Sequence, residues 1–117
     1  MKANLYRVFT ELSDADTKGV AISSPGAVDT EEGVIKGFSA IPYIHHLKII
    51  DELEAMFGLP VTIENDANCA GLAESQFGIG KDSKKSIYFI LGTGIGGAVC
   101  LDGKLYKGSS LYGGEFG

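Results

Sequence analysis

The chain has 117 residues, 44% of them hydrophobic, which suits one packed domain and excludes a disordered polypeptide. Ten Lys plus Arg against 15 Asp plus Glu leave a net charge of -5, and no basic block occurs anywhere, which argues against nucleic acid as a partner. No apolar run approaches the roughly 20 residues that cross a bilayer, and MKANLYRVFTEL is charged where a signal peptide would be apolar, so the expected setting is cytoplasmic, with no membrane partner.

The first element is an amphipathic helix, because Leu5, Val8, Phe9 and Leu12 recur at i, i+3, i+4 and i+7; it ends at Ser13-Asp14. Gly19 to Ser23 is a short apolar strand closed by the turn Ser24-Pro25-Gly26, and AVDTEEGVIKG reads as a small hairpin or excursion. Ile44, Leu47, Ile50, Leu53 and Phe57 predict a second helix, stopped by Gly58 and Pro60. Pro60 to Glu64 is strand-like. Ala67 to Phe77 then predicts a helix with a face of small residues, with Asp66 as its N-cap. This alternation is that of an α/β protein with a parallel sheet.

Gly is over-represented, at 17 residues, and clusters in the second half. Gly92, Gly94 and Gly97 of LGTGIGG match the G-x-G-x-x-G pattern of dinucleotide-binding turns, which requires a strand before and a helix after. Ser86 to Leu91 supplies the strand. After the glycines come Ala98 to Leu101, then Asp102-Gly103, then Lys104 to Tyr106, and an Asp-Gly pair between apolar runs marks a hairpin. The glycines therefore join two antiparallel strands. Small residues beside the Thr93 hydroxyl leave backbone amides open to an anion, most plausibly phosphate. Cys69 and Cys100 form no CxxC pattern and read as reduced thiols; no metal site is expected, and His45 and His46 read as surface or loop residues.

AISSPGAVD, IENDANCAGLAE and LGTGIGGAV, followed by YGGEFG, together resemble the ROK family of repressors and sugar kinases. The resemblance runs in order from Lys18 to Gly117. It implies an ATP-dependent kinase of the actin and hexokinase type, with two ribonuclease H-like domains around a cleft. Residues 1–84 would be part of the sugar-binding N-terminal domain, and residues 85–117 the first hairpin and sugar-contact loop of the second. Family members begin with an Asp-x-Gly-Gly-Thr phosphate loop and continue past GEFG into a zinc knuckle and an adenosine-binding half. The chain is accordingly expected to be a self-associating or oligomeric piece of a longer protein, inactive by itself.

By position, Asp66 resembles the base that takes a proton from a sugar hydroxyl as it attacks the γ-phosphate of MgATP. Asn65, Glu115 and Gly26 would bind a hexose or hexoside, and Thr93, Gly94 and Gly96 the phosphates. Many members carry a Pro-Asn-Leu segment whose Asn contacts the sugar, where this chain reads Ala40-Ile41-Pro42-Tyr43-Ile44-His45-His46, so the resemblance leaves a glycoside or amino sugar as plausible a substrate as glucose. The alternative that the resemblance leaves open is the sugar-sensing part of a ROK repressor. The pairing of Asn65-Asp66 with Thr93-Gly94 favours the kinase, because a sensor needs no base beside a phosphate turn.

Overall fold

The computed structural model describes residues 1–117. Helix α1 (Lys2–Leu12) leads into strand β1 (Val20–Ser24), followed by the short strands β2 (Ala27–Asp29) and β3 (Val34–Lys36). Helix α2 (Ile49–Phe57), strand β4 (Val61–Asn65) and helix α3 (Asp66–Phe77) come next, then strands β5 (Lys85–Leu91), β6 (Ile95–Leu101) and β7 (Lys104–Leu105). β1 and β4 pair in parallel, from Val20 opposite Val61 to Ser24 opposite Asn65. β2 and β3 form an antiparallel pair, and β5, β6 and β7 an antiparallel sheet in that order. No helix is long and apolar enough to cross a membrane.

The core of the first half is Val28, Ile35, Ile44, Ile49, Leu53, Phe57, Val61 and Ile63. Each such side chain contributes about 1.5–3 kcal/mol relative to exposure. Helix α1 leans on this core through Leu5 and Phe9, the latter 4.7 Å from the Phe57 ring between centroids. The expected second helix is shorter than its apolar spacing suggested. Ile44 belongs to a 3-10 turn, Pro42–Ile44, and Leu47 is left exposed before the helix begins at Ile49. The interruption has a backbone cause: His46 adopts φ 60, which no helix accommodates, between that turn and α2. At the other end Gly58 takes the left-handed cap at φ 68.

Helix α3 joins the two halves. It follows β4 without a linker and packs along β6, burying Ala67, Asn68, Gly71 and Ser75, the small-residue face that its sequence predicts. Asn65, and not Asp66, is its N-cap, because the Asn65 Oδ1 accepts the Asn68 N–H at 3.0 Å while Asp66 is already the first helical residue.

On β5 the faces alternate, with Tyr88 and Ile90 inward and Ile87, Phe89 and Leu91 out in solvent. Tyr88 meets the backbone of α3 at Gly71, and Leu105 is half-buried on β7.

A cleft at the end of the parallel strands

The parallel pair β1 and β4 ends at Ser24 and Asn65, and the chain leaves both strands towards the same side. That is where open α/β sheets collect their ligands. A cleft of about 550 Å³ lies there, with Pro25 to Ala27 and Gly37 to Ala40 on one side, Asn65 to Ala67 at the base, and Gly92 to Gly96 with Tyr112 and Glu115 facing them. Its size falls within the range of small-molecule sites. All seven residues singled out in the sequence line it: Gly26, Asn65, Asp66, Thr93, Gly94, Gly96 and Glu115.

The turn after β1 is fixed by Gly26, whose φ of 100 excludes most other residues and whose missing Cβ would sit 2.7 Å from Ile35 Cγ2. Asn65 Nδ2 donates to the Gly26 carbonyl at 3.1 Å, so this amide both caps α3 and pins the turn. One amide hydrogen remains for a ligand. Asp66 is exposed at the first position of α3, where the positive end of the helix dipole favours a negative group. Its Oδ1 accepts the Ala67 N–H at 2.9 Å.

Across the cleft, β5 and β6 pair from Lys85 opposite Leu101 to Leu91 opposite Ile95, leaving Gly92-Thr93-Gly94 as the connecting loop. A Cβ on Gly92 or Gly94 would meet nothing within 4 Å, so the backbone here is bare on its open side. Apart from the Gly92 N–H, which donates to the Gly94 carbonyl at 3.0 Å, the loop amides are without partners in the chain. The other two glycines of LGTGIGG serve packing. A Cβ on Gly96 would lie 3.0 Å from that of Ala67 in α3, and one on Gly97 would overlap the Phe116 ring and the Gly114 carbonyl. The latter contact lets the final loop lie on β6 and carry Glu115 to the cleft.

Sequence reading missed a set of supporting residues. Lys107 donates to the Val28 carbonyl at 2.7 Å and to Glu64 Oε2 at 3.0 Å, with both side chains largely buried. Glu64 Oε1 accepts from the Asn65 N–H at 2.8 Å and from Asn68 Nδ2 at 3.2 Å. An ion pair thus ties the loop that carries Glu115 to the strand end that carries Asn65 and Asp66. Forty-three positions of sequence separation hide that pair from a periodicity reading. His45 is also not the surface residue that its setting suggested. It is buried, with Nε2 2.8 Å from Ser39 Oγ. At the rim stand two aromatic side chains, Phe38, 95% exposed, and Tyr112.

A beta-glucoside kinase from Listeria monocytogenes is 43% identical over 104 residues, 89% of this chain, and the chain spans 35% of that protein's length. Among solved structures, the Lmo2764 protein from Listeria monocytogenes superposes with a TM-score of 0.88 at 41% identity over 98% of this chain and 39% of its own. A ROK family protein from Streptococcus pneumoniae in complex with sucrose does so with 0.82 at 44% identity, over 98% and 39%. A ROK family glucokinase from Streptomyces griseus, in complex with glucose and AMPPNP, gives 0.78 at 32% identity over 92% and 34%; a ROK family transcriptional regulator homologous to the E. coli MLC protein gives 0.72 at 27% over 98% and 28%. The fold is therefore part of the actin and hexokinase type found in these kinases. The model of the ROK family matches residues 6–117, and the chain belongs to that family.

Proposed function

We propose that the chain supplies the acceptor site and a phosphate hairpin of an ATP-dependent sugar kinase, which transfers the γ-phosphate to a hydroxyl of a hexose or hexoside. The observation that carries this reading is the meeting of Asp66, Glu115 and the bare Thr93-Gly94 backbone in one cleft. Residues 1–84 would form the sugar-binding unit and 85–117 the start of the nucleotide-binding unit, with α3 between them.

In this mechanism the sugar lies over Asn65 and Asp66, with Glu115 and the remaining Asn65 amide hydrogen on its hydroxyls and Gly26 keeping the floor flat. Asp66 takes the proton of the attacking hydroxyl, because a neutral alcohol is a weak nucleophile. The amides of Thr93 and Gly94, with the Thr93 hydroxyl, hold phosphate oxygens and align them with the acceptor. Mg²⁺ would come bound on the ATP phosphates, where it keeps much of its water, and Asp66 and Glu115 would stay with the sugar. The ion would neutralise charge on the transferring group.

The test is sugar-dependent ADP release by the full-length protein across a panel of hexoses, amino sugars and β-glucosides. Turnover of at least one class is the expected result. Sugar binding by calorimetry without any ADP release would favour the sensor reading instead.

Within this reading Gly94→Val should weaken nucleotide binding at least about 10-fold while leaving sugar binding within about 2-fold, since a branched side chain would fill the space that phosphate must enter. Calorimetry with a non-hydrolysable ATP analogue and with sugar, run separately, measures both. Equal losses for the two ligands would remove the phosphate role.

No Lys or Arg lines the cleft, so the 117-residue chain brings no cation of its own against the transferring phosphate. The isolated chain is accordingly expected to show no sugar-dependent ATP consumption. It is also expected to self-associate, because Ile87, Phe89 and Leu91 are 61%, 66% and 78% exposed on one sheet face and β1 has β4 as its only partner strand. Sedimentation of a clean monomer at micromolar concentration would overturn the association, and ADP release by the isolated chain would overturn the inactivity.

A further inference from the structure

The segment from Gly37 to Ala40 closes one side of the cleft, and its side chains are those of Gly, Phe, Ser and Ala. Ser39 is the one residue in it whose side chain can hydrogen-bond a ligand. That hydroxyl is fixed from behind: Oγ lies 2.8 Å from His45 Nε2 and accepts the Ile41 N–H at 3.2 Å. His45 is 8% exposed, and its Nδ1 faces the Ile35 carbonyl at 3.3 Å. A carbonyl only accepts, so in the neutral ring Nδ1 carries the hydrogen and Nε2 is left as an acceptor. The Ser39 hydroxyl must then donate to Nε2. With its hydrogen turned inward and one lone pair taken by Ile41, Oγ offers the cleft one acceptor and no donor.

The imidazole is itself held in place. His45 bridges to Ile35 in the middle of β3, and its Cε1 lies 3.0 Å from the position that a Cβ on Gly26 would occupy. Ser39, His45 and the Gly26 turn therefore form one packed unit beneath the cleft wall.

We propose that Ser39 is a substrate-binding residue that accepts a hydrogen bond from one ring hydroxyl of the sugar, and that His45 is the positioning residue that makes it an acceptor. This deepens the kinase reading and rests on the cleft being the sugar site. The resulting selectivity is chemical. A sugar whose substituent at that position can donate is favoured, and both a deoxy and a fluoro substituent there lose the contact, because fluorine cannot donate.

The test is steady-state kinetics of the full-length protein with ATP and its best sugar, together with the monodeoxy and monofluoro analogues of that sugar. Ser39→Ala should raise the sugar KM about 3-fold to 10-fold, the range for one neutral hydrogen bond, with the KM for ATP within about 2-fold. At one ring position the wild type should discriminate against both analogues and Ser39→Ala should not. His45→Phe should reproduce the Ser39→Ala pattern, the double variant should be no worse than either, and His45→Gln, which keeps an acceptor near the Nε2 position, should restore selectivity. Thermal unfolding of each variant separates these effects from misfolding.

An unchanged sugar KM in Ser39→Ala, or analogue discrimination identical in both proteins, would overturn the assignment of Ser39 while leaving the kinase reading intact. Equal rises in both KM values for His45→Phe, unrescued by His45→Gln, would overturn the positioning role. A wild type that neither binds nor phosphorylates any sugar would instead remove the kinase reading on which the inference rests.

Discussion

Asp66→Asn is expected to lower sugar-dependent ADP release by the full-length protein by about 10²-fold to 10⁴-fold, the usual consequence of removing a general base. Sugar affinity should change by only a few-fold. The separation rests on what the substitution keeps. Asparagine has the same shape, and its Oδ1 can still accept the Ala67 N–H that Asp66 holds at 2.9 Å, so the first turn of α3 stays in place. The cap is untouched, because it belongs to Asn65. What disappears is the capacity to take a proton at the position facing the hairpin across the cleft. Turnover of the Asn variant close to wild type would show that the attacking hydroxyl loses its proton elsewhere. A parallel loss of sugar affinity and turnover would show that Asp66 acts through binding alone.

The elements were largely legible in the sequence because their signals are local. The period of α1, the Asp102-Gly103 hairpin turn and the strand after the glycine loop are each written within a dozen residues, and the structure has all three, with β6 starting at Ile95, inside LGTGIGG, and not at Ala98. The failures share a cause. The apolar spacing from Ile44 to Phe57 fits one helix, yet the positive φ of His46 divides it, next to the bridge from Ile35 to His45. His45 itself is buried there. Nothing in its neighbours along the chain announces that β3 and Ser39 will enclose it.

For the cleft, the seven residues were found because each lies in a motif at a strand end or in a glycine-rich turn. Their supports were not found. The Lys107–Glu64 pair and the Ser39–His45 pair depend on which loops the fold brings together. A lysine in a polar loop and a serine between two apolar residues look like solvated surface until the partner is known. The glycines of LGTGIGG divide in a similar way. Gly92 and Gly94 leave open space beside the cleft, whereas Gly97 is required by the approach of Phe116 and Gly114, residues well downstream.

Gly71→Val is expected to destabilise the protein by about 3 kcal/mol, near the upper end of the usual cost of overpacking. Helix α3 approaches β6 so closely at this position that a Cβ on Gly71 would overlap the Ala98 Cβ and lie 3.1 Å from the Tyr88 ring. Ala98 has no exposure at all and Tyr88 is held on β5, so neither neighbour can turn away as a long flexible side chain would. The helix must therefore shift as a body. Its first residue is Asp66, so the same shift should move the carboxylate and lower turnover alongside stability. The melting temperature should fall by about 10 °C, given a few degrees per kcal/mol for a chain of this size. Ala70→Val is the control, since Ala70 is exposed on the same helix and the change there costs only the roughly 0.5 kcal/mol of lower helix propensity. Thermal unfolding of the two variants side by side decides the point. Gly71→Val melting within about 2 °C of Ala70→Val would mean that α3 has more room over the sheet than the contact at Ala98 allows.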